Sequence, residues 1–145
     1  MDFMTALDIG ASALTADRLT LNITAMNLAN AKTTRTVQGG HYRRRTVIRS
    51  AMDVDSPFSK HMETALDREL KGVRILNVLP DRRPPRVVYE PGHPDANADG
   101  MVLYPDINVV EEMADMMTAQ RNYEANVTTV ETVKAMYTKA LEIGR

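Results

Sequence analysis

Leucine recurs at every seventh position near the start of the chain, and small or apolar residues fill most of the heptad positions in between. The leucines are Leu7, Leu14, Leu21 and Leu28, and the positions between them hold Met4, Ala11, Arg18 and Ala25. Apolar residues at alternating spacings of three and four are typical of one face of an α-helix. The pattern predicts a helix over residues 4–30.

The same spacing returns in the last third of the chain. The heptad positions there are Val109, Met113, Met116, Gln120, Tyr123, Val127, Val130, Lys134, Tyr137 and Leu141, and eight of the ten are apolar or aromatic. Asn108 with Glu111 three residues later resembles a capping box, and Gly144 suits a helix end. These features predict a second helix over residues 108–143.

The middle of the chain has a different composition. All seven prolines and five of the seven glycines lie between residues 39 and 105. Four short segments rich in Val, Ile or Tyr are bounded by these residues and predict strands, at 42–48, 73–79, 86–90 and 101–104. Residues 51–71 carry mixed charge without a clear period, and 59–70 fit a short helix or a loop equally well.

This organisation predicts three stretches of chain. An N-terminal helical segment covers 1–32, a β-rich insert covers 33–106, and a C-terminal helical segment covers 107–145, with the two helices forming one unit. The chain has 145 residues, which suits a single folding unit.

The first helix has almost no charge on any side. Between residues 3 and 31 the only charged side chains are Asp8, Asp17 and Arg18. A helix with one face in water normally carries a charged stripe on that face. Two interpretations remain open at this point: an intramolecular helix pair with an uncharged exterior, or a surface that is buried on assembly.

Composition narrows the functional classes. Apolar residues make up 43% and charged residues 26% of the chain, and the net charge is −1. This composition is typical of a globular protein, and the low net charge provides no overall electrostatic attraction to nucleic acid or to an anionic membrane. Without cysteine there are no disulfides or thiolate sites. No apolar run is long enough to span a membrane, and the N-terminus lacks the basic region of a cleaved secretory signal.

One segment resembles part of a calcium-binding loop. Asp95, Asn97 and Asp99 alternate before Gly100, and Asp106 stands at the twelfth position, where a calcium loop normally has Glu. Prolines on both sides argue against the helices that flank such a loop, and Asn, Asp and Gly are also common in turns. Whether these four residues bind calcium stays open at the sequence level.

Clustered arginines are a second candidate site. Arginines at 43–45, 82, 83 and 86, with Tyr42 and Tyr89, fit a phosphate-binding patch, but the net charge argues against nucleic acid. The simpler interpretation is that these arginines lie on strands and face solvent or pair with acidic residues on neighbouring subunits. The three histidines are far apart and no catalytic motif is present, so we expect neither an enzyme nor a cofactor.

Several motifs resemble those of the flagellar axial proteins, the family of rod and hook subunits. They are Ser-Ala-Leu at 12–14, Asn-Leu-Ala-Asn-Ala at 27–31, Asp-Ala-Asn-Ala-Asp-Gly at 95–100, Glu-Met at 112–113 and Arg-Asn-Tyr-Glu-Ala-Asn at 121–126. Tyr-Arg-Arg-Arg at 42–45 and the short insert are most similar to the proximal rod type. Met101 and Asp106 depart from residues that are frequent in the family.

The resemblance implies a mainly α fold with a small β insert. In that fold, the long N- and C-terminal helices form an antiparallel coiled coil and the β-rich domain lies between them. It also implies a structural subunit of the basal-body rod, which assembles into a tube that transmits torque. The expected partners are other copies of the chain, the other proximal and distal rod proteins, the base adaptor, and the flagellar type III export apparatus.

Further expectations follow from the same resemblance. The protein is expected in the rod that crosses the periplasm, after export without a cleaved signal peptide, and its helical ends are expected to be poorly ordered before assembly. No nucleic acid and no membrane insertion are expected. The predicted assembly contacts are Leu7, Leu14, Leu21, Asn27, Leu28, Asn30, Met113, Tyr123, Asn126, Val127 and Val130.

One alternative comes from a different functional class. The same terminal helices would suit a soluble helical adaptor that binds a different partner protein. Such an adaptor would have ordered ends as a free chain, which distinguishes it from a subunit that orders on assembly.

Overall fold

A computed structural model describes residues 3–37, 39–53 and 71–144. Its elements follow the order α1 (Phe3–Ala29), β1 (Arg45–Asp53), β2 (Lys71–Pro80), β3 (Arg86–Tyr89), β4 (Met101–Tyr104) and α2 (Val109–Ile143). Both helices lie within one residue of their predicted bounds. The helix or loop considered for residues 59–70 falls outside the described residues.

The ends of α2 follow from local chemistry. The side chain of Asn108, the N-cap residue, accepts a hydrogen bond from the backbone N–H of Val110. Glu111 and Glu112 lie in the first turn, where the negative charge of a carboxylate interacts favourably with the positive end of the helix dipole. At the other end the N–H of Gly144 donates to the carbonyl of Ala140. The N-cap at Asn108, which is one half of the predicted capping box, and the helix end at Gly144 are confirmed.

The strands form two separate antiparallel pairs. β1 pairs with β2 from Arg45 opposite Pro80 to Asp53 opposite Lys71, and the register shifts between Ile48 and Arg49. β3 pairs with β4, joined by a turn in which Gly100 has a φ of +74°. Strands therefore occur in all four predicted segments, although the first runs from residue 45 to 53 rather than from 42 to 48.

The two helices lie side by side and run in opposite directions. Near one end the rings of Phe3 and Tyr137 stack with their centroids 4.1 Å apart. Further along, Asp17 bonds Asn126, and near the other end of the pair Asn27 bonds Glu112. The contact surface of the two helices is called the seam below. The β1–β2 hairpin covers another side of α1, where the backbone N–H of Val73 donates to the hydroxyl of Ser12.

The prediction of an antiparallel coiled coil is wrong. A coiled coil buries apolar knobs at regular heptad positions. In α1 the buried residues are Ala16, Asp17, Ile23, Thr24 and Asn27, and the heptad leucines lie beside them, half-buried. In α2 only Glu112 and Ala119 are buried. The seam is thus built from polar and small side chains.

The rotation of α2 explains this difference. Its least exposed positions are Glu112, Met116, Ala119, Tyr123, Asn126, Val127, Val130 and Val133. At every second position of the predicted stripe, the residue that faces α1 is instead the one just before it in the chain. Glu112 and Asn126 are two such residues, and polar partners on the neighbouring elements hold them there. Met113, predicted to face α1, is 52% exposed.

The apolar core of the described residues is small. Its fully buried members are Ala16, Ile23, Tyr42, Val102 and Ala119, and they are accompanied by four buried polar residues. Burial of apolar surface is the main source of folding free energy. The polar contacts that join the elements therefore matter more here than in a domain with a large core.

Candidate assembly interface

The first polar cluster joins the end of α1, the start of β1 and the start of α2; its members are Asn27, Tyr42, Arg44, Arg45 and Glu112. Asn27 is 1% exposed and lies at its centre. Its amide nitrogen donates to the carbonyl oxygen of Arg45 at 2.9 Å and to Oε2 of Glu112 at 3.0 Å. Its amide oxygen accepts from the N–H of Arg45 and the hydroxyl of Tyr42. Asn27 therefore uses both its donor and its acceptor groups inside the protein.

Glu112 contributes a buried carboxylate to the same cluster. It is 2% exposed, and its second oxygen, Oε1, accepts a hydrogen bond from Nε of Arg44. The guanidinium also reaches Thr46 and Asp115, at 3.2 and 3.4 Å. A buried carboxylate is tolerated only when it is paired and hydrogen-bonded, and here both oxygens have partners.

Tyr42 is the titrating phenol of the first polar cluster. Burial raises its pKa above the ordinary value of 10.0, the charge of Arg45 lowers it, and the carboxylate of Glu112 raises it. The hydroxyl donates to Asn27 at 3.0 Å, which requires the neutral phenol. The cluster therefore holds Tyr42 protonated.

The second polar cluster lies about halfway along the helix pair and comprises Asp17, Thr20, Arg49 and Asn126. Asp17 is 3% exposed. Its Oδ1 accepts from Arg49 of β1 at 2.8 Å and its Oδ2 accepts from Asn126 of α2 at 2.8 Å. Arg49 also donates to the hydroxyl of Thr20. This cluster again joins α1, β1 and α2.

The predicted assembly contacts fall into three groups. Asn27 is buried in the first polar cluster, and Met113 is exposed. The others are half-buried, namely Leu7, Leu14, Leu21, Leu28, Asn30, Tyr123, Asn126, Val127 and Val130. Two of the residues on α2 contact α1 directly. Asn126 binds Asp17, and Val130 lies against Gly10. A Cβ added at Gly10 would come within 2.6 Å of Cγ2 of Val130.

Large apolar side chains are exposed in three further places. At the start of α2 they are Val109, Val110, Met113 and Met117, and near its end they are Met136, Tyr137, Leu141 and Ile143. On the β3–β4 hairpin they are Val87, Tyr89, Met101 and Leu103, which form two directly opposed pairs. Contiguous exposed apolar side chains of this kind mark interaction surfaces.

The side chains of three of the four calcium candidates, Asp95, Asn97 and Asp106, have other partners. Asp95 accepts from the hydroxyl of Thr34 at 2.8 Å, and Asn97 accepts from the N–H groups of Asp99 and Met101 within the turn. Asp106 lies 3.6 Å from Arg83. Within residues 3–37, 39–53 and 71–144, no three His, Asp or Glu side chains are close enough to hold a metal ion.

The clustered arginines divide between the polar clusters and the surface. Arg44 lies in the first polar cluster, whereas Arg83 binds Asp81 at 2.7 Å. That hydrogen bond lowers the pKa of Asp81. Arg43 and Arg45 line an open cleft of about 780 Å³ together with His41. The side chain of Arg44 therefore joins the strand segment to α2, through Glu112.

Sequence reasoning missed the roles of Asp17, Arg44, Arg49 and Glu112. A signal for one of them was present, since Asp17 is one of only three charged residues between positions 3 and 31. A carboxylate on a helix with so few charges is expected to be buried, and a buried carboxylate needs a cation or hydrogen-bond donor as a partner. The partner, Arg49, comes from another element, and periodicity cannot identify it.

Comparisons with known proteins agree on one family. The family model for the C-terminal region of flagellar basal body rod FlgEFG proteins matches residues 98–143. Flagellar basal-body rod protein FlgC of Salmonella typhimurium is 37% identical, with all of both chains covered. FlgC of Borreliella burgdorferi is 37% identical over 99% of this chain and 98% of its own. FlgC of Bacillus subtilis is 38% identical over 97% of each chain.

Proposed function

This chain belongs to the family of flagellar basal-body rod protein FlgC and is a structural subunit of the flagellar rod, and we propose that it joins the rod through the half-buried leucines of α1 and the exposed apolar side chains of α2. The single observation that carries this proposal is the large apolar surface left on two long helices after they have packed on each other.

The leucine stripe of α1, made of Leu7, Leu14, Leu21 and Leu28, supports the proposal. These side chains lie beside the seam and stay half-buried in the single chain. A seven-residue repeat keeps them on one face of the helix along its whole length. Covering them with a neighbouring subunit would gain about 25 cal/mol for each Å² of apolar surface removed from water.

The polar residues of α1 also suit burial against neighbours. The hydroxyls of Thr15, Thr20 and Thr24 each donate to the backbone carbonyl four residues earlier, at 2.9 Å. A hydroxyl bonded to its own helix needs no water as a partner. The helix can therefore be surrounded by other subunits without leaving these groups unpaired.

Exposed apolar side chains on α2 supply a second surface. Val110, Met113 and Met117 project from the first turns of α2 and are all more than half exposed. Methionine adapts to irregular neighbours, which suits contacts with subunits that are not identical to this one. A repeated contact between different surfaces of the same subunit generates a helical assembly when its rotation does not close into a ring.

Finer features of the role follow from family membership as proposals. We place the subunit in the proximal rod, with other copies of itself, the other rod proteins and the base adaptor as neighbours. Delivery by the flagellar type III export apparatus is part of the same proposal. The polar clusters would help to transmit torque, because they fasten the β1–β2 hairpin to both helices. Neither described helix has the length and apolar character needed to cross a bilayer.

Met113→Glu tests the proposed surface. Met113 is exposed in the single chain, so a charge there leaves the fold intact but places a carboxylate in a dry interface, which is costly. We expect cells whose only copy carries Met113→Glu to lose swimming. We also expect the variant to be absent from purified basal bodies while its level in whole-cell extracts is unchanged.

The matched control is Gln120→Glu. Gln120 lies one heptad later on the same helix, is exposed, and is already polar. We expect this variant to assemble and swim normally. If Met113→Glu also assembles and swims normally, then the outward face of α2 is not an assembly surface.

A further inference from the structure

The seam between α1 and α2 has a different chemistry at each of its contact points. Along α1 these are a ring stack, a glycine packed against valine, a carboxylate bonded to an amide, and an amide bonded to a carboxylate. The pairs are Phe3–Tyr137, Gly10–Val130, Asp17–Asn126 and Asn27–Glu112. No two neighbouring contact points are interchangeable.

A seam of repeated leucines would behave differently. If leucine faced leucine at every heptad, a shift by seven residues would restore nearly the same contacts. In this chain the repeating leucines lie beside the seam, and the seam itself does not repeat. The choice of register, meaning which residue of α2 faces each residue of α1, must therefore come from the seam side chains.

A shift of α2 by one heptad would leave both buried carboxylates without their seam partners. Asp17 would face Ala119 or Val133 instead of Asn126, and neither side chain can donate a hydrogen bond. Glu112 would lose Asn27 and would either face Thr20 or lie beyond Ala29, the last residue of α1. A buried carboxylate that loses a partner is strongly unfavourable.

The same shift is blocked by size at Gly10. That position would face Tyr123 or Tyr137 instead of Val130. Even a single added Cβ at Gly10 would lie 2.6 Å from a methyl group of Val130, so the helices have no room for a phenol ring there. Overpacking and lost hydrogen bonds thus act against the same displacement.

The β1–β2 hairpin adds a third constraint. Arg44 of the segment leading into β1 binds Glu112 of α2, and Arg49 of β1 binds Asp17 of α1. The hairpin therefore holds one carboxylate from each helix. Any sliding of α2 along α1 would pull Glu112 away from Arg44 while Asp17 stayed on Arg49.

We propose that this non-repeating seam fixes the register of α1 on α2, with Asp17, Asn27, Glu112 and Asn126 as the register-setting residues. These contacts lie within one chain and are independent of the contacts between subunits proposed above. A fixed register gives every copy the same spacing between its leucine stripe and the apolar side chains of α2. A rod assembled from repeated contacts requires that uniformity.

Cysteine cross-linking of the purified full-length chain tests the register directly, because the natural sequence has no cysteine. Gly10→Cys with Val130→Cys reports the observed register, since the β-carbons of a disulfide lie about 3.8 Å apart and these positions are in contact. Gly10→Cys with Tyr123→Cys, or with Tyr137→Cys, reports a shift of one heptad in either direction. Both reporters also carry Val130→Ala, because a side chain at position 10 would otherwise clash with Val130 and disfavour the observed register. Mild oxidation and gel mobility measure the cross-linked fraction of each pair.

In the natural background we expect efficient cross-linking only for the 10–130 pair. Replacing Asp17, Asn27, Glu112 and Asn126 together by leucine makes the seam apolar, and we expect the helices to stay paired. Each shifted pair should then cross-link clearly above its level in the natural background, because the shifted register no longer leaves buried carboxylates without partners. Helix content, measured by circular dichroism, should stay the same.

Asp17→Asn is the conservative control, since asparagine can still hydrogen-bond both Arg49 and Asn126. We expect it to keep cross-linking confined to the 10–130 pair. The proposal is overturned if the shifted pairs cross-link in the natural background, or if the leucine variant stays confined to the 10–130 pair. Loss of all cross-linking in the leucine variant would also overturn it, because the four residues would then serve stability and not register.

Discussion

Tyr42 shows how a single side chain depends on three elements at once. It follows α1 in the chain, its hydroxyl donates to Asn27 of α1, and the carboxylate of Glu112 of α2 raises its pKa. Burial is the main cause of the raised pKa, and the charge of Arg45 works in the opposite direction. The neutral phenol is therefore the form that the fold stabilises.

Stability at high pH should report this residue. A phenol whose pKa is higher in the folded than in the unfolded state contributes stability that is present below the ordinary pKa of 10.0 and is lost as pH rises through the raised value. We expect Tyr42→Phe to lower the free energy of unfolding by about 1 kcal/mol at neutral pH, because a hydrogen bond to buried Asn27 is lost.

Urea unfolding between pH 7 and pH 11 measures both effects. The decline of stability above the ordinary tyrosine pKa should be shallower in Tyr42→Phe than in the natural chain. The exposed Tyr89→Phe is the control and should change neither value. An alkaline decline that is identical with and without the Tyr42 hydroxyl would contradict the assignment.

At the scale of elements, the β3–β4 hairpin depends on one turn residue. Gly100 has a φ of +74°, and an added Cβ would lie 2.9 Å from Cε2 of Tyr89 and 3.2 Å from Cβ of Pro91. Both the backbone conformation and the packing therefore require glycine. The turn also uses Asn97, whose side chain accepts from the N–H groups of Asp99 and Met101.

Gly100→Ala should destabilise the protein by about 1–3 kcal/mol, the usual range for a residue forced into an unfavourable backbone region. Gly92→Ala is the matched control, because an added Cβ there meets nothing within 4 Å. Thermal unfolding of the two variants against the natural chain gives the comparison. Equal melting temperatures for the two variants would show that the turn tolerates a side chain at position 100.

At the scale of the whole molecule, the apolar core is small and the C-terminal end of α2 is exposed. All residues from 134 to 143 are exposed, whereas Glu112 and Ala119 in the first turns of α2 are buried. Long helices gain most of their stability from packing. One end of the molecule is therefore held by the first polar cluster, and we propose that neighbouring subunits cover the other end in the rod.

Amide hydrogen exchange should make this difference visible. In the free chain we expect residues 134–143 to exchange much faster than residues 112–123, because few contacts protect them. In purified basal bodies the same segment should become protected. Equal, strong protection of both segments in the free chain would favour the self-contained helical adaptor over a subunit that orders on assembly.

Local chemistry in the sequence was sufficient to place both helices and to mark all four strand segments, although the bounds of β1 were wrong. The three-four spacing of apolar residues marks α1 and α2, Asn108 and Gly144 mark the ends of α2, and glycine and proline separate the strands. Each of these signals acts within a few residues of the chain. The family motifs could also be read directly, because they depend on residue identity and spacing alone.

Only the tertiary structure decided which helix face is internal. Periodicity marks residues that are buried somewhere, and for this chain we propose that the heptad leucines are buried between subunits. The actual seam is selected by Asp17 and Glu112, whose partners Arg49 and Arg44 are distant in sequence. A buried carboxylate is stable only next to a cation or hydrogen-bond donor. The tertiary structure decides which residue lies there, because the partner is distant in the sequence.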